Sequence, residues 1–474
     1  MIQDYPLLIG GEWQSSDERI EIRSPYTKET VGTTYLATAE QIDTAILAAK
    51  ESFQHMSTLP SYKRAEILLQ TANEIKTRSE ELARLIAAEA GKPLKIARTE
   101  VSRAIITFTI AAEESKRWGG ELLPLDLEPA SEGRIALVRR FPIGPIAAIT
   151  PFNFPLNLVA HKLAPACATG NTVVLKPAPQ TPLTALTLAD ILVRAGWPEG
   201  ALSVLLARNE DATPLVSDPR LKMLSFTGSA TVGWQLKKIA ADRRVVLELG
   251  GNAGVAIHSD TDLHWAAARC AVGGFSYAGQ SCISVQRIYV HRPVYDEFVT
   301  RFLTAVNNLK VGDPMDETTD VGPMISEAEA LRIENWVSEA CKNGAQLLCG
   351  SHRVGSLFEP TVLTGVSPEQ RVSCQEVFAP VVTLDTYDEF EEALALIDSS
   401  DYGLQAGIFT RDLPAIFRAY QQLKVGGLIV GDIPTYRADH MPYGGTKQSG
   451  IGREGIRYAM EEMTELKTLV LKLS

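Results

Sequence analysis

The chain has 474 residues, of which 45% are hydrophobic and 22% charged, and its formal net charge is −11 at pH 7. This length favours two or three domains, and the composition is typical of globular proteins. A net negative charge argues against nucleic acid as the main partner, and no stretch has the roughly 18 uncharged apolar residues that predict a membrane span.

The six cysteines are scattered along the chain, without the paired spacings of a metal site. The seven histidines are dispersed as well, so we predict no metal. The first residues have neither the basic region nor the apolar run of a secretion signal. We therefore expect a cytoplasmic protein whose thiols stay reduced and free.

The amino-terminal part combines a strand-rich entry with long helices. Residues 1–35 contain short strand-like runs separated by glycine and Ser-Pro turns. Apolar residues then recur at three- and four-residue spacing within 39–50, 63–90 and 99–118, which predicts helices. In 119–142, glycines and a proline accompany alternating apolar residues, which predicts a hairpin of the kind that often serves subunit contact.

From residue 146 to 240, short apolar runs alternate with helical stretches, which predicts a parallel sheet with helices on both faces. Such sheets bind ligands at the carboxyl ends of their strands, so the loops after Thr150, Lys176 and Phe226 are the first candidates for a site. A similar alternation over 254–430 predicts a second α/β domain. The tail is predicted to be helical and then to form a strand.

One cysteine stands where a nucleophile is useful. Cys282 lies in a tight loop, shortly after Gly279, that leads into a predicted strand. A thiol on a rigid loop becomes a strong nucleophile once it loses its proton. The alternative is a small buried hydrophobic residue, which is the ordinary role of a cysteine in a reduced protein.

Two further polar residues fit acyl chemistry. Asn153 lies in a loop at a strand end, where its amide could stabilise an oxyanion, or where it merely supplies turn geometry. Glu248 lies inside an apolar run, where a carboxylate is costly unless it is paired or serves as a base with a raised pKa. The alternative is an edge-strand glutamate that faces water.

A nucleotide site is indicated by the segment 226–229 (Phe-Thr-Gly-Ser), which opens a helix directly after a strand. The N–H groups at such a helix start can hold a pyrophosphate. The strict G-x-G-x-x-G fingerprint is absent, so an ordinary strand–helix turn remains the alternative. Lys176 ends a buried strand and could donate to ribose hydroxyls or to a phosphate.

Five motifs occur in order along the chain: 150–155 (TPFNFP), 226–229 (FTGS), 247–251 (LELGG), 279–282 (GQSC) and 376–380 (EVFAP). Together they resemble the aldehyde dehydrogenase superfamily. The resemblance extends from about Ile9 to the C-terminus, through 442–445 (PYGG) and 449–454 (SGIGRE).

The resemblance implies an α/β fold of two Rossmann-like, doubly wound domains with a small β oligomerisation element. It implies a nucleotide-binding domain at 1–118 and 143–249 and a catalytic domain with the cysteine at 250–430. The hairpin at 119–142 and the strand at 455–474 would form the contacts of a homodimer or homotetramer.

The resemblance also implies site residues. Cys282 would attack the aldehyde, Asn153 and the Cys282 N–H would hold the oxyanion, and Glu248 would activate the water that hydrolyses the thioester. Lys162 matches a lysine near this machinery. The positions implied for NAD or NADP are Thr150, Pro151, Phe152, Lys176, Pro179, Gly228, Ser229, Gly233, Leu249, Glu376 and Phe378.

One departure concerns the cofactor. Many NAD-preferring members have a glutamate three residues after the ribose-binding lysine, whereas this chain has Pro179. Proline neither accepts a ribose hydroxyl nor repels a 2′-phosphate, so NADP becomes a candidate beside NAD.

For the substrate, local details resemble the lactaldehyde and non-phosphorylating glyceraldehyde-3-phosphate dehydrogenase branch. Arg103 and Arg437 match phosphate-binding arginines of that branch, although Arg437 could also be a solvated loop cation. Ser281 and Phe154 replace an arginine and a tyrosine of the same clamp. We therefore expect a small hydroxylated or anionic aldehyde rather than a sugar phosphate.

Three alternatives are considered. A CoA-acylating aldehyde dehydrogenase would not need the base Glu248. A simple esterase would leave the nucleotide motifs unexplained. A non-enzymatic use of the fold would predict loss of Cys282, Asn153 or Glu248, and all three are present.

Overall fold

The structure is a computed structural model that describes residues 2–473. Its α-helices are, in chain order, α1 Ala39–Thr58, α2 Ser61–Thr77, α3 Ser79–Ala90, α4 Leu94–Arg117, α5 Asn157–Thr169, α6 Leu183–Arg194, α7 Thr213–Ser217, α8 Ala230–Ala240, α9 Leu263–Phe275, α10 Tyr295–Asn307, α11 Glu327–Lys342, α12 Arg371–Cys374, α13 Phe390–Asp398, α14 Leu413–Gln422 and α15 Ile456–Glu462. Its strands are β1 Leu7–Ile9, β2 Glu12–Gln14, β3 Arg19–Arg23, β4 Thr30–Tyr35, β5 Glu121–Pro124, β6 Arg134–Pro142, β7 Ile146–Ile149, β8 Val173–Lys176, β9 Leu202–Val204, β10 Met223–Thr227, β11 Arg244–Glu248, β12 Ala253–Ile257, β13 Val285–His291, β14 Gln346–Cys349, β15 Arg353–Val354, β16 Leu357–Phe358, β17 Thr361–Thr364, β18 Val381–Tyr387, β19 Tyr402–Gly403, β20 Gln405–Phe409, β21 Gly427–Val430, β22 Thr446–Lys447, β23 Gly450–Ile451 and β24 Thr464–Lys472.

The first sheet has the strand order β2-β1-β9-β8-β7-β10-β11-β23. Its five central strands run parallel, whereas β1 and β23 join antiparallel at opposite ends. Every residue of β8 and β10 is buried. Because successive side chains of a strand point to opposite faces, both faces of this sheet are covered.

The second sheet has the order β14-β17-β18-β13-β12-β20-β21, and all its pairs are parallel except that of β14 with β17. Two covered, mostly parallel sheets confirm the predicted α/β fold class. The predicted domain boundaries remain a prediction, and β23 extends the first sheet from a segment to which the sequence analysis gave no domain.

A third sheet has the order β24-β6-β5 and is antiparallel. The hairpin of β5 and β6 matches the predicted one, and β24 pairs with β6 from Thr464 opposite Pro142 to Lys472 opposite Arg134. Its apolar side chains are partly exposed, among them Leu122, Leu137 and Leu469. Among residues 2–473, no helix combines the length and the apolar character needed to cross a bilayer.

The predicted helix over 63–90 is two helices, because Arg78 leaves helical geometry at φ −98° and ψ 21°. Glu80 and Glu81 in the first turn of α3 interact favourably with the positive end of the new helix. The next helix, α4, begins at Leu94 directly after Pro93, five residues before the predicted start at residue 99.

Candidate active site

One cavity of about 700 Å³ opens at the carboxyl ends of the parallel strands of the first sheet and reaches the Cys282 loop. It brings together most of the predicted residues: Arg103, Pro151, Phe152, Asn153, Phe154, Gly228, Ser229, Glu248, Leu249, Ser281, Cys282, Glu376, Phe378 and Arg437. Five other predicted residues do not line it: Thr150, Lys162, Lys176, Pro179 and Gly233.

Cys282 is presented by a sharp turn between α9 and β13. Tyr277 and Ala278 both have left-handed backbone angles, with φ of 50° and 52°, which is costly for residues with a Cβ. Tyr277 anchors the turn by donating its hydroxyl to the carbonyl of Ala90 at 2.9 Å. Gly279 completes the turn, since a Cβ there would lie 2.2 Å from the Ala379 carbonyl oxygen. The strain is held in place by this packing, which fixes the position of the thiol.

The Cys282 thiol is partly buried, and its sulfur lies 3.0 Å from the Tyr443 hydroxyl. The pKa of this thiol is raised to about 12, because burial outweighs the hydrogen bond with Tyr443 and the charge of Arg437, which both lower it. All six cysteines are free, and none is within disulfide contact of another. The thiol is therefore available, but it needs local stabilisation of its anionic form to react near neutral pH.

Asn153 lies in the loop after β7 and is tethered to the cysteine loop. Its Nδ2 donates to the Gln280 carbonyl at 3.0 Å, while its Oδ1 is buried without a hydrogen-bond partner among the described residues. This contact spans 127 positions of the chain, so the side chain does more than shape its own turn. An amide nitrogen carries two N–H groups, so one of them is left without a hydrogen-bond partner among the described residues.

A buried ion pair supports the Asn153 loop from below. The Glu100 carboxylate accepts the N–H groups of Leu156 and Asn157 at 2.9 and 3.1 Å, which satisfies the start of α5. The same carboxylate pairs with the fully buried Lys92. The Lys92 ammonium also lies 3.7 Å from the centre of the Phe154 ring. These contacts fix the loop that carries Asn153.

Glu248 ends β11, which pairs with β10 on one side and β23 on the other. The alternative of an edge-strand glutamate facing water is therefore wrong, and the residue is only 3% exposed. Neither carboxylate oxygen has a hydrogen-bond partner among the described residues. Burial, reinforced by the negative charge of Glu454, raises the pKa of Glu248 well above its ordinary 4.5. A carboxyl group in such an environment takes up and releases its proton at a higher pH than an exposed glutamate does.

A buried ionic network lies beside Glu248. Glu454 accepts Arg437 Nη2 at 3.0 Å and lies 3.4 Å from Lys162 Nζ. Lys162 also donates to Ser225 at 3.0 Å. Arg437 is nearly buried, with 6% of its side chain exposed, so the alternative of a solvated loop cation is wrong.

The second half of the network is centred on Asp439. Arg103 donates to both of its carboxylate oxygens, at 3.1 and 2.7 Å. His161 Nε2 lies 2.8 Å from the same carboxylate, and Asn157 donates to it at 3.0 Å. Burial and the nearby Arg437 charge lower the pKa of His161, so the imidazole is neutral at neutral pH. Both candidate substrate arginines thus have a carboxylate partner.

The predicted cofactor positions fit a nicotinamide dinucleotide. Lys176 is 5% exposed at the carboxyl end of β8, burial lowers its pKa, and it forms no ion pair with any described residue. Thr150 directly follows β7 and Thr227 ends the neighbouring strand β10. Their hydroxyl groups are buried without hydrogen-bond partners among the described residues. These unsatisfied donors are available to the hydroxyl and phosphate groups of a nucleotide at this edge of the sheet.

The pyrophosphate and nicotinamide positions fit as well. Ser229 caps α8, whose first N–H groups lie at the cavity end of the sheet. Gly233 leaves room for the Leu249 side chain, since a Cβ at position 233 would lie 2.3 Å from a Leu249 methyl carbon. Glu376 accepts the Gly251 N–H at 3.0 Å, and burial raises its pKa to about 7. Phe378 adopts a left-handed φ of 50° and packs edge-on to Phe152.

Sequence reasoning missed several residues of this site. Tyr443 and Glu454 belong to motifs that were recognised, and Asp439 lies two residues after Arg437, but no role was assigned to any of the three. What marks these residues as part of the site is that their polar side chains are buried, and burial of this kind is visible only from tertiary contacts. No group of three or more His, Cys, Asp or Glu side chains within residues 2–473 has the arrangement of a metal site.

Comparisons with known proteins agree with this geometry. The family model described as "Aldehyde dehydrogenase family" matches residues 13–469. The 3-sulfolactaldehyde dehydrogenase of Priestia aryabhattai is 45% identical over 473 residues, which cover 100% of this chain and 99% of that protein.

Two solved structures share the fold along nearly the whole chain. Aldehyde dehydrogenase 21 from Physcomitrella patens, in complex with the reaction product succinate, has a TM-score of 0.98 and 45% identity, and the match covers 100% of this chain and 99% of that one. Glyceraldehyde-3-phosphate dehydrogenase from Methanocaldococcus jannaschii, complexed with NADP, has a TM-score of 0.93 and 40% identity, with 96% and 100% covered. The chain belongs to the aldehyde dehydrogenase family and is an enzyme that oxidises an aldehyde with NAD or NADP.

Proposed function

We propose that this enzyme oxidises a small aldehyde with an anionic or hydroxylated far end to the carboxylate, through a thioester on Cys282 that water hydrolyses. The observation that carries the proposal is that Cys282, Asn153 and Glu248 line one cavity together with Arg103 and Arg437. A nucleophile, an oxyanion donor, a base and two cations then face the same substrate.

In the first step the Cys282 thiolate adds to the carbonyl carbon, and the carbonyl oxygen takes the electron pair. The free N–H of Asn153 and the backbone N–H of Cys282 stabilise this oxyanion. Lys176, Ser229, Glu376 and Phe378 would hold the dinucleotide, whose nicotinamide would accept the hydride that leaves the former carbonyl carbon. The carbon remains bonded to sulfur as a thioester.

In the second step Glu248 takes a proton from water, and the water oxygen bonds to the thioester carbon. The carbon–sulfur bond then breaks, the carboxylate product forms and the Cys282 thiolate is restored. The raised pKa of Glu248 suits this role, because a general base works best when its pKa lies near the operating pH. Lys162 acts on Glu248 indirectly, because it pairs with Glu454, which lies beside Glu248.

The anionic substrate class is supported by the cations and by the relatives. Arg103 and Arg437 both line the cavity and bring cationic groups to it. Sulfolactaldehyde, succinate and glyceraldehyde 3-phosphate, named for the similar proteins, all carry an anionic group away from the reacting carbon. Ser281 and Phe154 supply neither charge nor hydroxyl-bearing aromatic ring for a phosphate, so a carboxylate or sulfonate fits better than a sugar phosphate.

Two finer features belong to the same proposal. NADP is accepted, because Pro179 is exposed and places no carboxylate near Lys176. The enzyme forms a homodimer or homotetramer through the sheet of β5, β6 and β24, whose partly exposed leucines would be covered by a second subunit.

The test crosses NAD and NADP with a panel of aldehydes and follows the absorbance of the reduced nicotinamide. The panel contains lactaldehyde, 3-sulfolactaldehyde, succinic semialdehyde, glyceraldehyde, glyceraldehyde 3-phosphate and simple alkanals, each with and without CoA. We expect turnover without CoA and the highest kcat/KM with a sulfonate or carboxylate. Activity that appears only with CoA would overturn the hydrolytic mechanism in favour of the acylating one.

A further inference from the structure

The hydroxyl of Tyr443 has one hydrogen-bond partner among the described residues, and that partner is the Cys282 sulfur at 3.0 Å. Tyr443 is 3% exposed and packs with Ile283 and Leu404 next to the cysteine. A tyrosine buried to this degree normally uses its hydroxyl in a hydrogen bond. Here the hydrogen bond of the Tyr443 hydroxyl is made with the sulfur of Cys282, the proposed nucleophile.

The protonation states decide which atom donates. While Cys282 is a thiol, either group can donate to the other. Once Cys282 is a thiolate, only the tyrosine has a proton to give. Burial raises the pKa of Tyr443 well above its ordinary 10, so the phenol keeps its proton over the working pH range. The hydrogen bond is therefore stronger in the thiolate form than in the thiol form.

The tyrosine is held in position from two sides. Its backbone exchanges hydrogen bonds with that of Glu454, with the Tyr443 N–H donating at 3.0 Å and its carbonyl accepting at 2.6 Å. The Arg437 guanidinium carbon lies 3.7 Å from the centre of the ring. Glu454 also fixes that guanidinium at 3.0 Å. Loss of the hydroxyl alone would leave the ring, the backbone contacts and the ring–cation contact in place.

The other charged groups that face the sulfur do not replace the tyrosine. Glu376 and Glu248 oppose the thiolate, and Arg437 favours it through its charge, without a hydrogen bond to the sulfur. Among the described residues, Tyr443 is the side chain within hydrogen-bond distance of the Cys282 sulfur.

We propose that Tyr443 is a further catalytic residue, whose O–H donates to the Cys282 sulfur and stabilises the thiolate as nucleophile and later as leaving group. The inference rests on the proposed role of Cys282 as nucleophile. No bond is made or broken at the tyrosine, and its proton stays on the phenol oxygen throughout.

The test is the rate at which iodoacetamide alkylates Cys282 in the folded protein, measured by peptide mass spectrometry at several pH values. In Tyr443→Phe we expect the fraction of thiolate at a given pH to fall roughly tenfold or more. The alkylation rate should fall less than the thiolate fraction, by about three- to tenfold, because the thiolate of a thiol with a higher pKa is intrinsically more nucleophilic. The exposed Cys374 of the same molecules is an internal reference whose rate should not change.

Tyr436→Phe is the matched control, since Tyr436 is exposed and lies seven positions earlier in the same loop region without lining the cavity. Its Cys282 alkylation should follow that of the wild type. An unchanged pH dependence in a folded Tyr443→Phe protein would overturn the inference. If that variant does not fold, the wild-type chain labelled with 3-fluorotyrosine, a more acidic phenol, should alkylate faster at Cys282, and an unchanged rate would overturn the inference equally.

The outcomes separate this inference from the proposed function. Cys282→Ala should lose both turnover and labelling at position 282, which tests the nucleophile itself. A Tyr443→Phe protein that alkylates normally would contradict the tyrosine role and leave the nucleophile intact. If Tyr443→Phe slows the alkylation of Cys282 but the wild-type enzyme oxidises no aldehyde of the panel, the proposed substrate class alone would be contradicted.

Discussion

The Arg437 guanidinium carbon lies 3.7 Å from the centre of the Tyr443 ring, and Tyr443 in turn contacts the Cys282 sulfur. An arginine that the sequence suggests for substrate binding is therefore also part of the support of the nucleophile. Glu454 completes the arrangement by neutralising Arg437. Under the proposed function, substrate recognition and thiol chemistry share one buried network, so substitutions in it should affect both.

Glu454→Gln should destabilise the protein by about 3–5 kcal/mol at neutral pH, since it leaves the buried cations Lys162 and Arg437 without their carboxylate. Chemical denaturation followed by circular dichroism measures the change. Glu391→Gln, which removes the carboxylate of the exposed pair with Arg418, should change stability by no more than roughly 0.5 kcal/mol and serves as the control. Equal effects of the two substitutions would contradict the account of the network.

The same carboxylate should govern stability in acid. Burial alone would raise the pKa of Glu454. The charges of Lys162 and Arg437 outweigh this effect and hold that pKa well below its ordinary 4.5 in the folded protein. A depressed carboxyl pKa adds stability above the unfolded-state value, and this contribution is lost as the pH falls through the folded-state value. We therefore expect the wild-type free energy of unfolding to decline below pH 4.5. The decline should be shallower in Glu454→Gln, and parallel curves would contradict this.

Glu248→Gln should slow deacylation by roughly 10²–10⁴-fold, the usual contribution of a general base, while leaving hydride transfer much less affected. Stopped-flow measurement should then show a burst of reduced cofactor of about one equivalent per active site, followed by a slow steady rate. In the wild type the deacylation rate should rise with pH, because the raised pKa of Glu248 keeps much of it protonated at lower pH. Full steady-state turnover in the variant would exclude Glu248 as the base.

Pro179→Glu should shift the cofactor preference towards NAD. A carboxylate at this exposed position would repel a 2′-phosphate and accept a ribose hydroxyl, which together should change the ratio of kcat/KM for NAD and NADP by about tenfold or more. Steady-state kinetics with each cofactor measures the ratio. Pro129→Glu, at an exposed proline between β5 and β6, is the control for added negative charge. An unchanged ratio would exclude position 179 as a determinant.

Arg103→Met should raise KM for an anionic aldehyde by roughly tenfold, because it removes a cation from the cavity and leaves the Asp439 carboxylate less neutralised. The KM for a neutral alkanal should change far less, so the measured quantity is the ratio of the two values. Arg98→Met, five positions earlier on α4 and in an exposed pair, should leave both values unchanged. An equal rise for both substrates would point to a general disturbance of the site.

The parallel sheets were predictable from the sequence, and the sequence also allowed roles to be proposed for the main chemical residues. Runs such as β8 and β10 are mostly apolar and end in a polar residue, Lys176 or Thr227, which is the local signature of a covered strand leading into a site. The order of the five motifs then identified the family without any knowledge of contacts. Cys282, Asn153 and Glu248 could be assigned because each stands inside such a motif.

What could not be predicted depends on partners distant in the chain. Asp439 binds Arg103 across 336 positions, and Tyr443 reaches Cys282 across 161 positions. No local pattern encodes these contacts.

The central claim is that the substrate becomes covalently bound to Cys282, and the most direct measurement is the mass of that residue during turnover. Glu248→Gln protein should be mixed with NADP and an anionic aldehyde, quenched in acid, digested and mapped. We expect the acyl mass on the Cys282 peptide, at close to one equivalent per active site, and none on the same peptide of a Cys282→Ala chain. An acyl group on another residue, or reduced cofactor released with no adduct at Cys282, would contradict the account.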